Sequence, residues 1–95
     1  MSWGERKMNV EIKNFGDVLI SRPAGKEAFL LAESYVFNKL NATESIDLDF
    51  SNVKVLTPSW VDEFIKGVKK TYSNRINYLH TENASVQASL RTVLQ

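Results

Sequence analysis

Between Ile46 and Phe50 apolar and acidic residues alternate strictly, and a short step further on the periodicity becomes helical. Trp60, Val61, Phe64, Ile65, Val68 and Tyr72 form that helical stripe, with Lys66, Lys69 and Lys70 turned away from it. A half-buried strand feeding an amphipathic helix is the unit of a layered α/β fold. The same succession brackets this unit on both sides. Upstream, Val10 and Ile12 alternate with polar neighbours, Asn14-Phe15-Gly16-Asp17 supplies turn chemistry, and Val18-Leu19-Ile20 is apolar, which reads as a hairpin. Ser21-Arg22-Pro23 then opens a helix predicted over residues 23–40, because Ser caps free N–H groups and Pro lacks one to waste. Ala24, Ala28, Leu31, Ala32, Tyr35 and Val36 share one side of it at about 100° per residue.

Downstream, Ile76, Tyr78 and His80 alternate with Asn77 and Leu79. Thr81-Glu82-Asn83 caps a last helix over residues 83–94, on which Val86, Leu90, Val93 and Leu94 recur at helical spacing. With the middle helix over residues 59–72, the predicted order is β-β-α-β-α-β-α. That order gives one α/β domain: a mixed sheet of about four strands with one antiparallel hairpin, layered with about three helices. Phe50, Leu48, Trp60, Phe64 and Val68 are the expected core. Sites in such folds lie where strands end and helices begin.

Length and charge narrow the function classes. Ninety-five residues support one core, so residues 8–95 are read as one domain behind an N-terminal segment, residues 1–7, that carries little periodicity and is expected either to be disordered or to precede a start near Met8. Twelve Lys and Arg against eleven Asp and Glu leave a net charge of +1, which disfavours a dedicated nucleic-acid binder. No apolar run approaches a membrane span and no apolar signal core is visible near the start, so a cytoplasmic protein without membrane contact is expected. The absence of Cys excludes disulfides and Cys-ligated metals.

Candidate chemistry is sparse. Asp47 and Asp49 share a strand face, but a pair with no third ligand reads as solvated carboxylates rather than a metal site. His80 has no second His and reads as an ordinary strand-end residue. Gly25-Lys26 fails the phosphate-loop spacing, since Ile20 and Glu27 stand where Gly and Ser or Thr are required. Ser21, Arg22 and Gly25 nevertheless put donors and a positive charge at a helix start, a candidate anion site. Leu30 and Phe37 fall opposite the first helix's stripe, either as a contact patch for a partner or a homodimer, or as a second buried face. Ser59 is expected to cap the second helix, with Asp62 as its capping-box partner. No cofactor, metal set or catalytic triad is legible, so a non-enzymatic protein is expected.

The segment from Ile46 to Trp60, Ile-Asp-Leu-Asp-Phe-Ser-Asn-Val-Lys-Val-Leu-Thr-Pro-Ser-Trp, resembles the central motif of STAS domains. These form cytosolic domains of sulphate transporters and anti-sigma-factor antagonists. The resemblance is closer to the uncharacterised prokaryotic STAS-like family, through Leu48-Asp49-Phe50 with Val53 and through Ser59-Trp60 followed by Asp62-Glu63-Phe64. It implies a regulatory protein-interaction module in which Ser59 occupies the place of the serine that antagonists present for phosphorylation. Its partner would be an ATP-dependent serine kinase of the anti-sigma type. Thr57 stands where antagonists commonly carry Asp, Pro58 replaces a Ser or Thr, and Trp60 replaces a Gly. The implied site is thus Thr57, Ser59, Trp60 and Asp62. The alternative is a STAS-like sensor of a small ligand, anion or nucleotide.

Overall fold

A computed structural model describes residues 6–95. Residues 1–5 of the N-terminal segment lie outside the described residues, and Lys7 already belongs to the first strand. The elements run β1 (Lys7–Glu11), a 3-10 turn (Ile12–Phe15), β2 (Val18–Leu19), α1 (Arg22–Tyr35) and a second 3-10 turn (Phe37–Lys39). They continue through β3 (Ser45–Asp49), β4 (Val55–Leu56), α2 (Pro58–Thr71), β5 (Ile76–Leu79) and α3 (Ala84–Val93). The α/β class, the element order and the three helices are those predicted, and the short Val55-Leu56 segment is a strand in its own right.

The strands form two sheets, β1-β3-β5 and β2-β4, and every pairing is parallel. The expected hairpin is therefore corrected: β1 pairs with β3, and β2 with β4. The reason lies in the intervening turn. Ile12 is fully buried and Phe15 places its ring 6.2 Å from Trp60 and 5.6 Å from Phe64, so this stretch winds into the core instead of reversing the chain. Gly16, at φ 131°, then re-extends the backbone in a region that only glycine adopts readily. Val18-Leu19 thereby comes alongside Val55-Leu56, the segment that precedes the second helix as β2 precedes the first.

Alternation along the strands separates two faces of the larger sheet. Val10, Ile46 and Leu48 are buried against the helices, with Met8, Ile76 and Tyr78 packed beside them. The opposite face carries Lys7, Asn9, Glu11, Asp47, Asp49 and Asn77. α2 contributes Trp60, Val61, Phe64, Ile65 and Val68 to the core, as its stripe predicted. On α1 the buried face is Gly25, Ala28, Phe29 and Ala32; Leu31 and Tyr35 of the predicted stripe are exposed. This rotation follows from two glycines. A Cβ on Gly25 would lie 2.2 Å from the Trp60 carbonyl oxygen, and one on Gly67 would lie 2.6 Å from the Phe29 ring. Each helix thus lends a glycine to the other's aromatic residue, and the pair approaches closely along that line.

α3 covers the free side of β4. Ser85 Oγ accepts from Leu56 N–H and donates to the Leu56 carbonyl, both at 2.9 Å, and Ser89 Oγ donates to the same carbonyl at 2.6 Å. These two serines, one helical turn apart, satisfy an edge that would otherwise present unpaired backbone groups.

Candidate functional site

The pairing of β2 with β4 brings two helix starts together. Ser21 caps α1 as predicted: its Oγ accepts from Ala24 N–H at 3.3 Å while its backbone sits at φ 78°. α2 is capped by Thr57, whose Oγ1 accepts from Trp60 N–H at 3.4 Å and donates to the Leu19 carbonyl at 3.2 Å. The expected Ser59 cap is corrected accordingly. Pro58 takes the first helical position, where its missing N–H costs nothing, so the cap falls one residue before it. Ser59 lies inside the first turn, half-exposed, and among the described residues its hydroxyl makes no hydrogen bond.

Arg22 bridges the two starts. Its guanidinium lies 2.8 Å from Asp62 Oδ2 and 2.8 Å from Glu63 Oε2, and Lys66 approaches Asp62 at 3.4 Å. Hydrogen bonding from Arg22 holds the Asp62 carboxyl below the usual carboxylate range, against the opposing pull of desolvation. Asp62 is thus Arg22's partner and not half of a capping box. The three residues of the candidate anion site fall into three separate roles. Ser21 caps, Arg22 is held by two carboxylates, and Gly25 packs against the Trp60 backbone.

Trp60 faces inward, 2% exposed, stacked on Phe64 at a centroid distance of 5.4 Å and an interplanar angle of 7°. It fixes the first turn of α2 from behind, leaving Ser59 on the outside. Leu30 and Phe37 do not form a shared patch. Leu30 is 49% exposed, whereas Phe37 is 1% exposed and packs on Phe29, Phe64 and Tyr72. The helix ends at Tyr35, and Val36 at φ −121° starts a new turn, so the helical phase that set Phe37 opposite the stripe does not extend that far.

A second polar cluster sits at the ends of β3 and β5, and the solvated reading of Asp47 and Asp49 is corrected by it. β3 is the central strand, so neighbours cover both its sides. Asp47 is 7% exposed and accepts from Asn77 Nδ2 at 2.8 Å. Asp49 Oδ1 accepts from Ser51 N–H at 2.9 Å and from the Ser51 hydroxyl, and meets His80 Nδ1 at 2.8 Å. The Ser51 bonds lower the Asp49 pKa and outweigh its desolvation; the Asp49 carboxylate in turn raises that of His80. Ser51 and His80 both address the carboxylate and not each other, so the order differs from a nucleophile–imidazole–carboxylate relay. The contact instead ties the turn after β3 to His80, whose φ of 55° is uncommon for a non-glycine residue. Among the described residues no group of three or more potential ligands could hold a metal ion, and no helix is long and apolar enough to cross a membrane.

Parallel pairing throughout, with β2, β4 and β5 each leading into a capped helix and the starts of α1 and α2 gathered at one edge, defines an α/β domain of STAS-like architecture. Residues 34–86 match the family described as a STAS-like domain of unknown function (DUF4325), and the chain belongs to it. The match spans β3, β4, α2 and β5, including Ser59 and its surroundings. No curated protein and no solved structure matches the chain.

Proposed function

We propose that the protein is a non-enzymatic regulatory module that binds a protein partner through the edge where α1 and α2 begin, and that phosphorylation of Ser59 governs this contact. One observation carries the reading. Ser59 is accessible and free of hydrogen bonds among the described residues, while the neighbouring Thr57 performs the capping. A serine relieved of structural duty at a helix N-terminus can change its charge without costing the helix its cap. The phosphate would bring about −1.5 to −2 charge to a place where backbone N–H groups and the helix dipole favour anions. Arg22 lies on the adjoining helix start, already drawn to Asp62 and Glu63. A phosphate on Ser59 would compete for that guanidinium, loosening the bridge between α1 and α2 starts and altering the surface a partner meets.

The resemblance to anti-sigma-factor antagonists supplies the class of partner, an ATP-dependent serine kinase. The test is incubation with the anti-sigma-type kinases of the source organism and ATP, followed by intact-mass measurement and peptide mapping. A single phosphate on Ser59, absent from Ser59→Ala, is the expected result. An unmodified chain, or phosphate placed elsewhere, contradicts the reading.

A further inference from the structure

β5 ends the three-stranded sheet with its outer edge unpaired among the described residues. The Arg75 and Leu79 carbonyls accept from Ile46 N–H at 2.7 Å and Phe50 N–H at 3.0 Å. Strand alternation therefore turns the backbone groups of Ile76 and Tyr78 outward. Natural edges are commonly covered or blocked, as α3 covers β4 here. The β5 edge is instead straddled by two grooves, of about 480 Å³ on the polar sheet face and about 500 Å³ on the core side. Lys7 and Arg75 stand at the first and Lys69 at the second, all three exposed. Among the described residues none of these cations has a carboxylate within salt-bridge distance. Asp47, the acid lining the first groove, is buried and bonded to Asn77.

We propose that this edge takes up an extended acidic segment of a partner protein, which adds to β5 as a further strand. The outward N–H and C=O groups of Ile76 and Tyr78 supply main-chain pairing, and the unpaired cations, Lys7 and Arg75 on one side and Lys69 on the other, select carboxylates on both faces of the added strand. A second copy of this chain is a poorer occupant, because the interface would then hold two sets of the same three cations with no acids to answer them. The site is separate from the Ser59 edge and depends on neither a kinase nor phosphorylation.

The probe is a blocked hexapeptide of sequence Val-Glu-Glu-Val-Glu-Glu, which carries carboxylates on both strand faces, compared with its counterpart carrying lysine for glutamate, each titrated into the isotope-labelled protein at low salt. The acidic peptide shifts the Ile76 and Tyr78 amide signals and slows their hydrogen exchange, and the lysine peptide does not. Lys69→Gln with Arg75→Gln, and separately Lys69→Glu with Arg75→Glu, weakens the acidic peptide by about tenfold or more while circular dichroism stays unchanged. The neutral pair keeps the test open if the charge-reversed pair fails to fold. Equal response to both peptides, shifts confined to other elements, no response at millimolar acidic peptide, or protection of these amides by self-association each overturns the proposal.

Discussion

The α-carbon of Gly25 faces the Trp60 carbonyl so closely that a methyl group there would lie 2.2 Å from the oxygen and 2.9 Å from the carbon. Replacing glycine by alanine inside a helix ordinarily stabilises by roughly 0.5–1 kcal/mol. Here the added carbon meets backbone that cannot rotate away, so α1 must lift off α2. Gly25→Ala should lower stability by about 2–3 kcal/mol in urea unfolding. Gly67→Ala meets the Phe29 ring, which can shift, and should cost less. A stabilised Gly25→Ala would contradict the close approach.

Leu30 and Phe37 should respond in opposite ways. Phe37→Ala removes a ring from the cluster of Phe29, Phe64 and Tyr72 and should cost about 3–5 kcal/mol. Leu30→Lys, at a half-open surface, should stay within about 0.5 kcal/mol of wild type. Comparable losses from both, read from denaturation midpoints, would contradict the placement of the helix end at Tyr35.

Thr57 and Ser59 separate structure from regulation. Thr57→Ala loses the cap of α2 and the bond to the Leu19 carbonyl, an expected loss of about 1–2 kcal/mol. Ser59→Ala loses no hydrogen bond seen among the described residues and should unfold at the wild-type midpoint. A larger loss at Ser59 would return the cap to it.

Stability should depend on pH through the His80–Asp49 contact. The His80 pKa is raised, first by its hydrogen bond to Asp49 and then by the carboxylate's charge. Its contribution is therefore complete below the ordinary histidine value and disappears as pH rises through the raised value. The Asp49 pKa is lowered, chiefly by the Ser51 hydroxyl, so its contribution is present above the ordinary aspartate value and is lost as pH falls through the lowered one. The pair is strongest between the two. Wild type should lose stability as pH rises from the ordinary histidine value through the raised one, and His80→Gln should flatten that slope. The effect is small because the imidazole is 57% exposed. Parallel pH profiles for the two proteins would show that the contact does not form in solution.

Much of this architecture is legible in the sequence, and the misreadings have definite causes. The alternation from Ile46 to Phe50 and the stripe from Trp60 to Val68 identify their elements and their buried faces, because both periods are local. Alternation does not say which strands lie alongside, so it could not reveal that Asp47 is buried at the sheet centre or that Asp49 meets His80. The glycine contacts that rotate α1 are likewise invisible locally, since Gly25 and Trp60 are far apart in the chain. The Thr57 cap, by contrast, had a signal. Thr57-Pro58 has the same logic as Ser21 ahead of Pro23, with proline in the first turn and the hydroxyl upstream of it. At Ser59 the resemblance located the residue but not its role, and its freedom from capping appears only in three dimensions.

The central claim is that Ser59 is the regulated point of a partner-binding edge. Calorimetry of the chain with an anti-sigma-type serine kinase of the source organism, run in parallel on wild type, Ser59→Ala and Ser59→Asp, tests it most directly. The account predicts that Ser59→Ala binds as wild type does, while Ser59→Asp, though equally folded, binds about tenfold or more weakly, as a new charge in an interface fitted to a neutral hydroxyl should. Equal affinity for all three would contradict it.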